Sequence, residues 1–127
     1  MKTVLYIEDS LLNAYLVQAI LAPRTHVRFL NATNGKTGMD LARHDRPDLI
    51  LLDLNLPDMT GDELLRTLRA EQTLASIPVV VVSGDALQEQ GNRLKDLGVT
   101  DYIPKPFNLE EFERVVDRYL KEPPLTV

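Results

Sequence analysis

Three observations predict an α/β chain with a parallel sheet covered by helices on both faces. Short apolar runs recur along the chain, and each stops abruptly at polar or charged residues: Val4-Leu5-Tyr6-Ile7 before Glu8-Asp9, Leu49-Ile50-Leu51-Leu52 before Asp53, and Val79-Val80-Val81-Val82 before Ser83. Unbroken apolar runs of this length suit strands buried on both faces. The segments between them carry helix caps and helical spacing, so strands and helices alternate. At 127 residues the chain is one domain, with a real core but no room for a second.

The first run is a strand ending in acids. Ser10 can cap a helix from Leu11 to about Leu21, in which Leu12, Leu16, Ala19 and Ile20 recur at helical spacing, and Pro23 closes it. Val27-Arg28-Phe29-Leu30 reads as an edge strand. Asn34-Gly35 turns the chain into a helix over about residues 36–44, which Asp45-Arg46-Pro47 ends. The third strand delivers Asp53 to a loop, Leu54-Asn55-Leu56-Pro57-Asp58-Met59-Thr60-Gly61, too rich in turn formers to continue it. Thr60 and Glu63 have capping-box spacing for a helix over about residues 62–72. The Val79–Val82 run is the most β-branched in the chain and reads as a central strand. Residues 86–97 are weakly helical, interrupted by Gly91 and Asn92, and Gly98 stops them. Tyr102-Ile103 is a brief fifth strand before Pro104-Lys105-Pro106. Asn108 and Glu111 cap a last helix to Leu120, with Leu109, Phe112, Val115, Val116 and Tyr119 facing inward. Residues 1–122 form the domain, and 123–127 read as a tail or linker. Right-handed crossovers with one reversal of winding give a three-layer (βα)5 sandwich with a parallel sheet of order 2-1-3-4-5, the flavodoxin-like arrangement.

Composition narrows the function. A net charge of −5 and a pI near 5.0 argue against a nucleic-acid surface, which needs a basic stripe. There is no cysteine, so neither a disulfide framework nor thiolate chemistry is available, which suits the cytoplasm. Acids at positions 8 and 9 cut short any signal-peptide core, and no apolar run approaches membrane-spanning length, so no membrane contact is expected.

In the predicted strand order the first and third strands are neighbours, so Glu8, Asp9 and Asp53 converge at the carboxyl edge of the sheet, where open α/β sheets hold ligands. Three carboxylates so close either share protons or call in a cation. A hard ion such as Mg²⁺ accepts one or two carboxylates, a carbonyl and waters, and leaves room for a phosphate oxygen. Ser83 ends the fourth strand with a hydroxyl, and Lys105 follows the fifth with an ammonium. Carboxylate nucleophile, metal site, hydroxyl and cation together are what phosphoryl transfer to an aspartate requires. Alone, each has a blander explanation: an Asp as turn former, a Ser as cap, a Lys as solvated charge. Four strand ends on one side of a sheet outweigh those explanations.

The set Ile7-Glu8-Asp9, Leu51-Leu52-Asp53-Leu54-Asn55-Leu56-Pro57-Asp58-Met59-Thr60-Gly61, Val82-Ser83-Gly84 and Asp101-Tyr102-Ile103-Pro104-Lys105-Pro106-Phe107 closely resembles the receiver domain of two-component response regulators, from about Thr3 to Leu120. The resemblance implies that Asp53 is the phosphoacceptor and that Glu8 and Asp9 are the acidic pair. Asp9, Asp53 and the backbone carbonyl of Asn55 would be Mg²⁺ ligands. Ser83 and Lys105 would contact the phosphoryl group, and Tyr102 would be the aromatic that changes rotamer on activation. It implies a cis Lys105–Pro106 bond, and a switching surface made by the fourth helix, fifth strand and fifth helix. Glu8 and Ser83 stand where Asp and Thr are commoner in the family, and Asn55 and Asp85 occupy positions that tune hydrolysis of the acyl phosphate. The family's partners are a histidine kinase or a histidine phosphotransfer domain, and a monomer or weak dimer is expected.

Glu8-Asp9-Ser10 with Asn13 resembles receivers of hybrid histidine kinases and points to a phosphorelay ahead of a stand-alone response regulator. A flavin-binding protein of the same fold is disfavoured, because the strand ends are acidic and the first loop lacks a phosphate cradle. A phosphatase of the haloacid-dehalogenase type would need a second Asp at the position of Asn55. An interaction module independent of phosphorylation would not need every one of these residues.

Overall fold

The computed structural model describes residues 1–84 and 94–121. Strands β1 (Lys2–Ile7), β2 (Val27–Ala32), β3 (Leu49–Leu52), β4 (Val79–Ser83) and β5 (Asp101–Pro104) form one parallel sheet of order β2-β1-β3-β4-β5, as the alternation of elements requires. Helices α1 (Leu11–Leu21), α2 (Gly35–Asp45), α3 (Gly61–Ala70) and a C-terminal helix (Leu109–Leu120) cover it. Side chains leave a strand on alternate faces, so each buried strand feeds two cores. Leu5, Ile7, Ile50, Leu52, Val79 and Val81 pack under α2 and α3, while Val4, Tyr6, Leu49, Leu51, Val80 and Val82 pack against α1 and the C-terminal helix. That double demand explains why Val4–Ile7, Leu49–Leu52 and Val79–Val82 are unbroken apolar runs.

Caps set the helix starts. Ser10 accepts from the Asn13 amide, Asn34 from Thr37, Thr60 from Glu63 and Asn108 from Glu111, each satisfying an N–H that the helix leaves unpaired. Arg46, held at φ +46° before Pro47, ends α2. The weak helix expected over residues 86–97 falls largely outside the described residues, of which 94–96 are helical; Asp85 and the expected tail also lie outside them.

The helically spaced apolar set of α1 is not its buried face, and one expectation about the C-terminal helix fails. Leu12, Leu16 and Ala19 of α1 point outward, and the buried residues are Ala14, Val17 and Leu21; of that set only Ile20 packs on the core. The helix is apolar nearly all round, so periodicity could not choose a face. The small Ala14 and Val17 let it approach the sheet. At the C-terminal helix, Phe112, Val115 and Val116 are buried as expected and Tyr119 packs partly, but Leu109 in the first turn is exposed. Among the described residues no helix is long and apolar enough to cross a membrane.

Candidate functional site

Strand register builds the site. Ile7 pairs with Leu52, so the next residues, Glu8 and Asp53, leave the sheet side by side. Backbone bonds hold both exits: the Glu8 amide donates to Ala32 O at 2.9 Å and the Asp53 amide to Ile7 O at 3.0 Å. One oxygen from each of Glu8, Asp9 and Asp53 lies within 4.8 Å of the others, with Glu8 and Asp53 buried and Asp9 exposed at the mouth. On the far side Ser83 pairs with Pro104, and Lys105 next donates its amide to Ser83 O at 2.9 Å. The Lys105–Pro106 bond is cis, and Phe107 beyond it seats against Phe112 with ring centroids 5.0 Å apart. Lys105 Nζ then reaches inward, 2.8 Å from Glu8 Oε1 and 3.7 Å from Asp53 Oδ2.

The electrostatics follow from burial. Desolvation, and then the neighbouring Glu8, push the Asp53 carboxyl up to about 7, against the Asn55 amide, which donates to Oδ1 at 3.2 Å. Glu8 goes the other way: burial opposes its ionisation, but hydrogen bonding to Asp53, Lys105 and Asn13 wins and lowers it. The two carboxyls therefore share one proton and titrate together. Glu8 Oε2 is buried and, among the described residues, receives no hydrogen bond from a permanent donor, so a proton, a water or a cation would satisfy it. The donor set, all oxygen, suits a hard divalent ion.

Asp53 opens into a loop that is closed on itself. The Gly61 amide donates to Leu54 O at 3.1 Å, Asn55 and Thr60 form an antiparallel bridge, and a Cβ on Gly61 would stand 2.9 Å from Leu54 Cα. A cavity of about 460 Å³ lies along this loop between Asp9, Asn55, Met59 and Glu63. Three residues that support the site were not singled out for that role from sequence. Asp58 accepts from the Gly35 and Lys36 amides at 2.7 and 2.9 Å, binding the loop to the start of α2, and these two donors hold its carboxyl below the usual range. Asn31 Nδ2 donates to Tyr6 O at 2.9 Å and also to Glu8 O at 3.3 Å, fixing the exit of β1. Asn13 Nδ2 donates to Glu8 Oε1 at 2.6 Å. Asparagine at a strand end or in a first helical turn was the only local sign, and it names no partner.

Comparison with known proteins matches residues 4–117 to the family model of the response regulator receiver domain. The chain belongs to the response regulator receiver family. It is 34% identical to the polar-differentiation response regulator DivK of Brucella anthropi over 119 residues, which is 94% of this chain and 96% of that protein. The structure of the chemotaxis response regulator CheY4 of Vibrio cholerae superposes with a TM-score of 0.86 at 28% identity, covering 94% of this chain and 99% of that one. The receiver domain of the Pseudomonas aeruginosa sensor histidine kinase PA1611, solved with magnesium coordinated in its active-site cleft, gives a TM-score of 0.82 at 28% identity over 93% of this chain and 96% of that one.

A receiver domain works in phosphorylation-based signalling, and the acidic pocket of this one lies at the carboxyl edge of β1 and β3. Glu8, Asp9, Asp53 and Lys105 come together as the sequence predicts. Asn55 is exposed beside Asp53, and its backbone contributes a donor to it. Ser83 is fully buried at the end of β4. Tyr102, opposite Val81 on β5, is 42% exposed beside a cavity of about 250 Å³ that Leu94 and Val99 help to line.

Proposed function

We propose that Asp53 accepts a phosphoryl group from a phosphohistidine. The observation that carries this is the placement of the nucleophile: a buried carboxylate beside two other acids, with one ammonium 3.7 Å away. An Asp53 carboxylate oxygen attacks phosphorus in line, the P–N bond breaks, and its electron pair leaves on the donor imidazole. An acyl phosphate results. Lys105 balances the charge that gathers on the transferring oxygens. Asp9, Asp53 and the Asn55 carbonyl, with Glu8 behind them, would hold Mg²⁺, which when bound neutralises charge on the phosphoryl oxygens; the buried Glu8 Oε2 without a permanent donor supports a cation there. The protein's own residues thus catalyse acceptance and, with water in place of histidine, hydrolysis.

The phosphoryl group then draws in the Ser83 hydroxyl, and Tyr102 turns inward from its half-exposed position, biasing the surface made by β5 and the C-terminal helix, to which the helix expected over residues 86–97 would belong. The donor is a histidine kinase or a histidine phosphotransfer domain in the cytoplasm. The outward face of α1, where Leu11, Leu12, Tyr15 and Leu16 are exposed, follows directly on Asp9 and gives such a donor an apolar seat beside the mouth. A phosphorelay and a stand-alone context both have similar chains, the PA1611 receiver and DivK. Transfer of the phosphoryl group from Asp53 on to a phosphotransfer-domain histidine favours the first.

The test is incubation with Mg²⁺ and acetyl phosphate followed by intact mass. Wild type gains one phosphoryl group and Asp53→Asn gains none. A wild type that stays unmodified, or a variant that is modified equally, overturns the reading.

A further inference from the structure

Glu8 Oε1 receives two hydrogen bonds: Lys105 Nζ at 2.8 Å and Asn13 Nδ2 at 2.6 Å. The two donors differ in what they do next. Lys105 also stands 3.7 Å from Asp53 Oδ2, so in the proposed reaction it would turn toward the phosphoryl oxygens. Asn13 projects from a backbone held in place, because its amide donates to the Ser10 Oγ cap in the first turn of α1. Glu8 is 1% exposed, and its longer side chain has one more rotatable bond than an aspartate would have. With both of these donors on Oε1, Oε2, which among the described residues has no permanent donor, is the oxygen left to face Asp53 and a cation.

We infer that Asn13 is a positioning residue: it fixes which oxygen of Glu8 is offered to the cation and keeps it so when Lys105 leaves. The inference rests on the proposed cation site and adds to it the residue that makes a glutamate workable there. Partners that orient ligand groups of a metal site weaken metal affinity when removed, and the amide of Asn13 stands in that relation to Glu8.

The experiment is Mg²⁺ titration of the unphosphorylated protein by calorimetry, for wild type, Asn13→Leu, Asn13→Gln, Glu8→Asp and the Glu8→Asp/Asn13→Leu double variant. Leucine keeps the shape of asparagine without its donor, glutamine keeps the donor, and aspartate at position 8 is one methylene too short to reach Asn13. Asn13→Leu is expected to bind Mg²⁺ about 10-fold more weakly at a temperature where both proteins are folded, in addition to the lower metal-free melting that losing a donor to a buried carboxylate brings, with binding partly restored in Asn13→Gln. In the Glu8→Asp background Asn13→Leu is expected to have no effect. Equal binding by wild type and Asn13→Leu overturns the inference, and so does an equal loss in the Glu8→Asp background. Failure of wild type itself to bind Mg²⁺ overturns the cation site on which it rests.

Discussion

Lys105 donates to Glu8 at 2.8 Å and stands nearly an ångström farther from Asp53, so the ammonium first neutralises the buried glutamate and only then Asp53. Glu8 is 1% exposed and Lys105 19%, which places the pair where losing one partner leaves a costly charge.

Lys105→Ala is therefore expected to destabilise the metal-free protein by about 3 kcal/mol at pH 8, the low end for breaking a buried pair, since Asn13 still serves Glu8. Glu8→Gln/Lys105→Ala, which removes both charges, should recover most of that. Urea denaturation of the single and double variants decides it; additive losses would mean that the two residues are not a pair.

Asp53 gives the pH dependence. Its folded value of about 7 lies above the ordinary 3.8, so the protonated form favours folding. That contribution is complete below about pH 4 and disappears as pH rises through about 7. Glu8 is shifted down and supplies stability in the opposite sense, present above its ordinary range and lost in acid, which offsets part of the effect. Without metal, Asp53→Asn should be more stable than wild type by about 2 kcal/mol more at pH 8 than at pH 5. Mg²⁺ should reverse the ranking and raise wild-type melting more at pH 8 than at pH 5, because it binds the ionised carboxylates. Parallel melting curves of the two proteins across this range would refute the shared proton.

Asp53 and its companions were legible because each follows the end of a strand, and parallel register brings such ends level: Ile7 beside Leu52 puts Glu8 beside Asp53 without any side-chain detail. What could not be read depends on pairing between distant segments. Asp58 looks like any turn former until α2 presents two amides to it. The inward face of α1 could not be read because apolar residues surround that helix, and tertiary fit decided between its sides. Leu109 failed for a related reason: helical spacing does not say where the sheet beneath the helix ends.

Tyr6 is fully buried with a hydroxyl that meets no partner among the described residues, and burial followed by the charges of Glu8 and Asp53 drives its phenol far above the ordinary range. Tyr6→Phe removes an unsatisfied polar group while keeping the ring between α1 and the C-terminal helix. It should stabilise the protein by about 1 kcal/mol. A loss of similar size in thermal or urea unfolding would instead reveal a buried water bound by that hydroxyl.

The outward face of α1 separates chemistry from recognition. Leu11 and Tyr15, each 71% exposed and four residues apart, lie one above the other on the helix and touch neither the core nor the acidic site. Leu11→Ser/Tyr15→Ser should therefore change folding stability by less than about 1 kcal/mol, as surface substitutions do, and leave uptake from acetyl phosphate unchanged, because that donor is too small to need a seat. Transfer from a phosphorylated histidine protein should slow about 10-fold or more, the loss expected when apolar anchors leave the centre of an interface. The contrast between the two donors is the measurement. Equal rates from the histidine protein would place its contact elsewhere, whereas equal loss with both donors would show that α1 holds the site in shape and does not receive a partner.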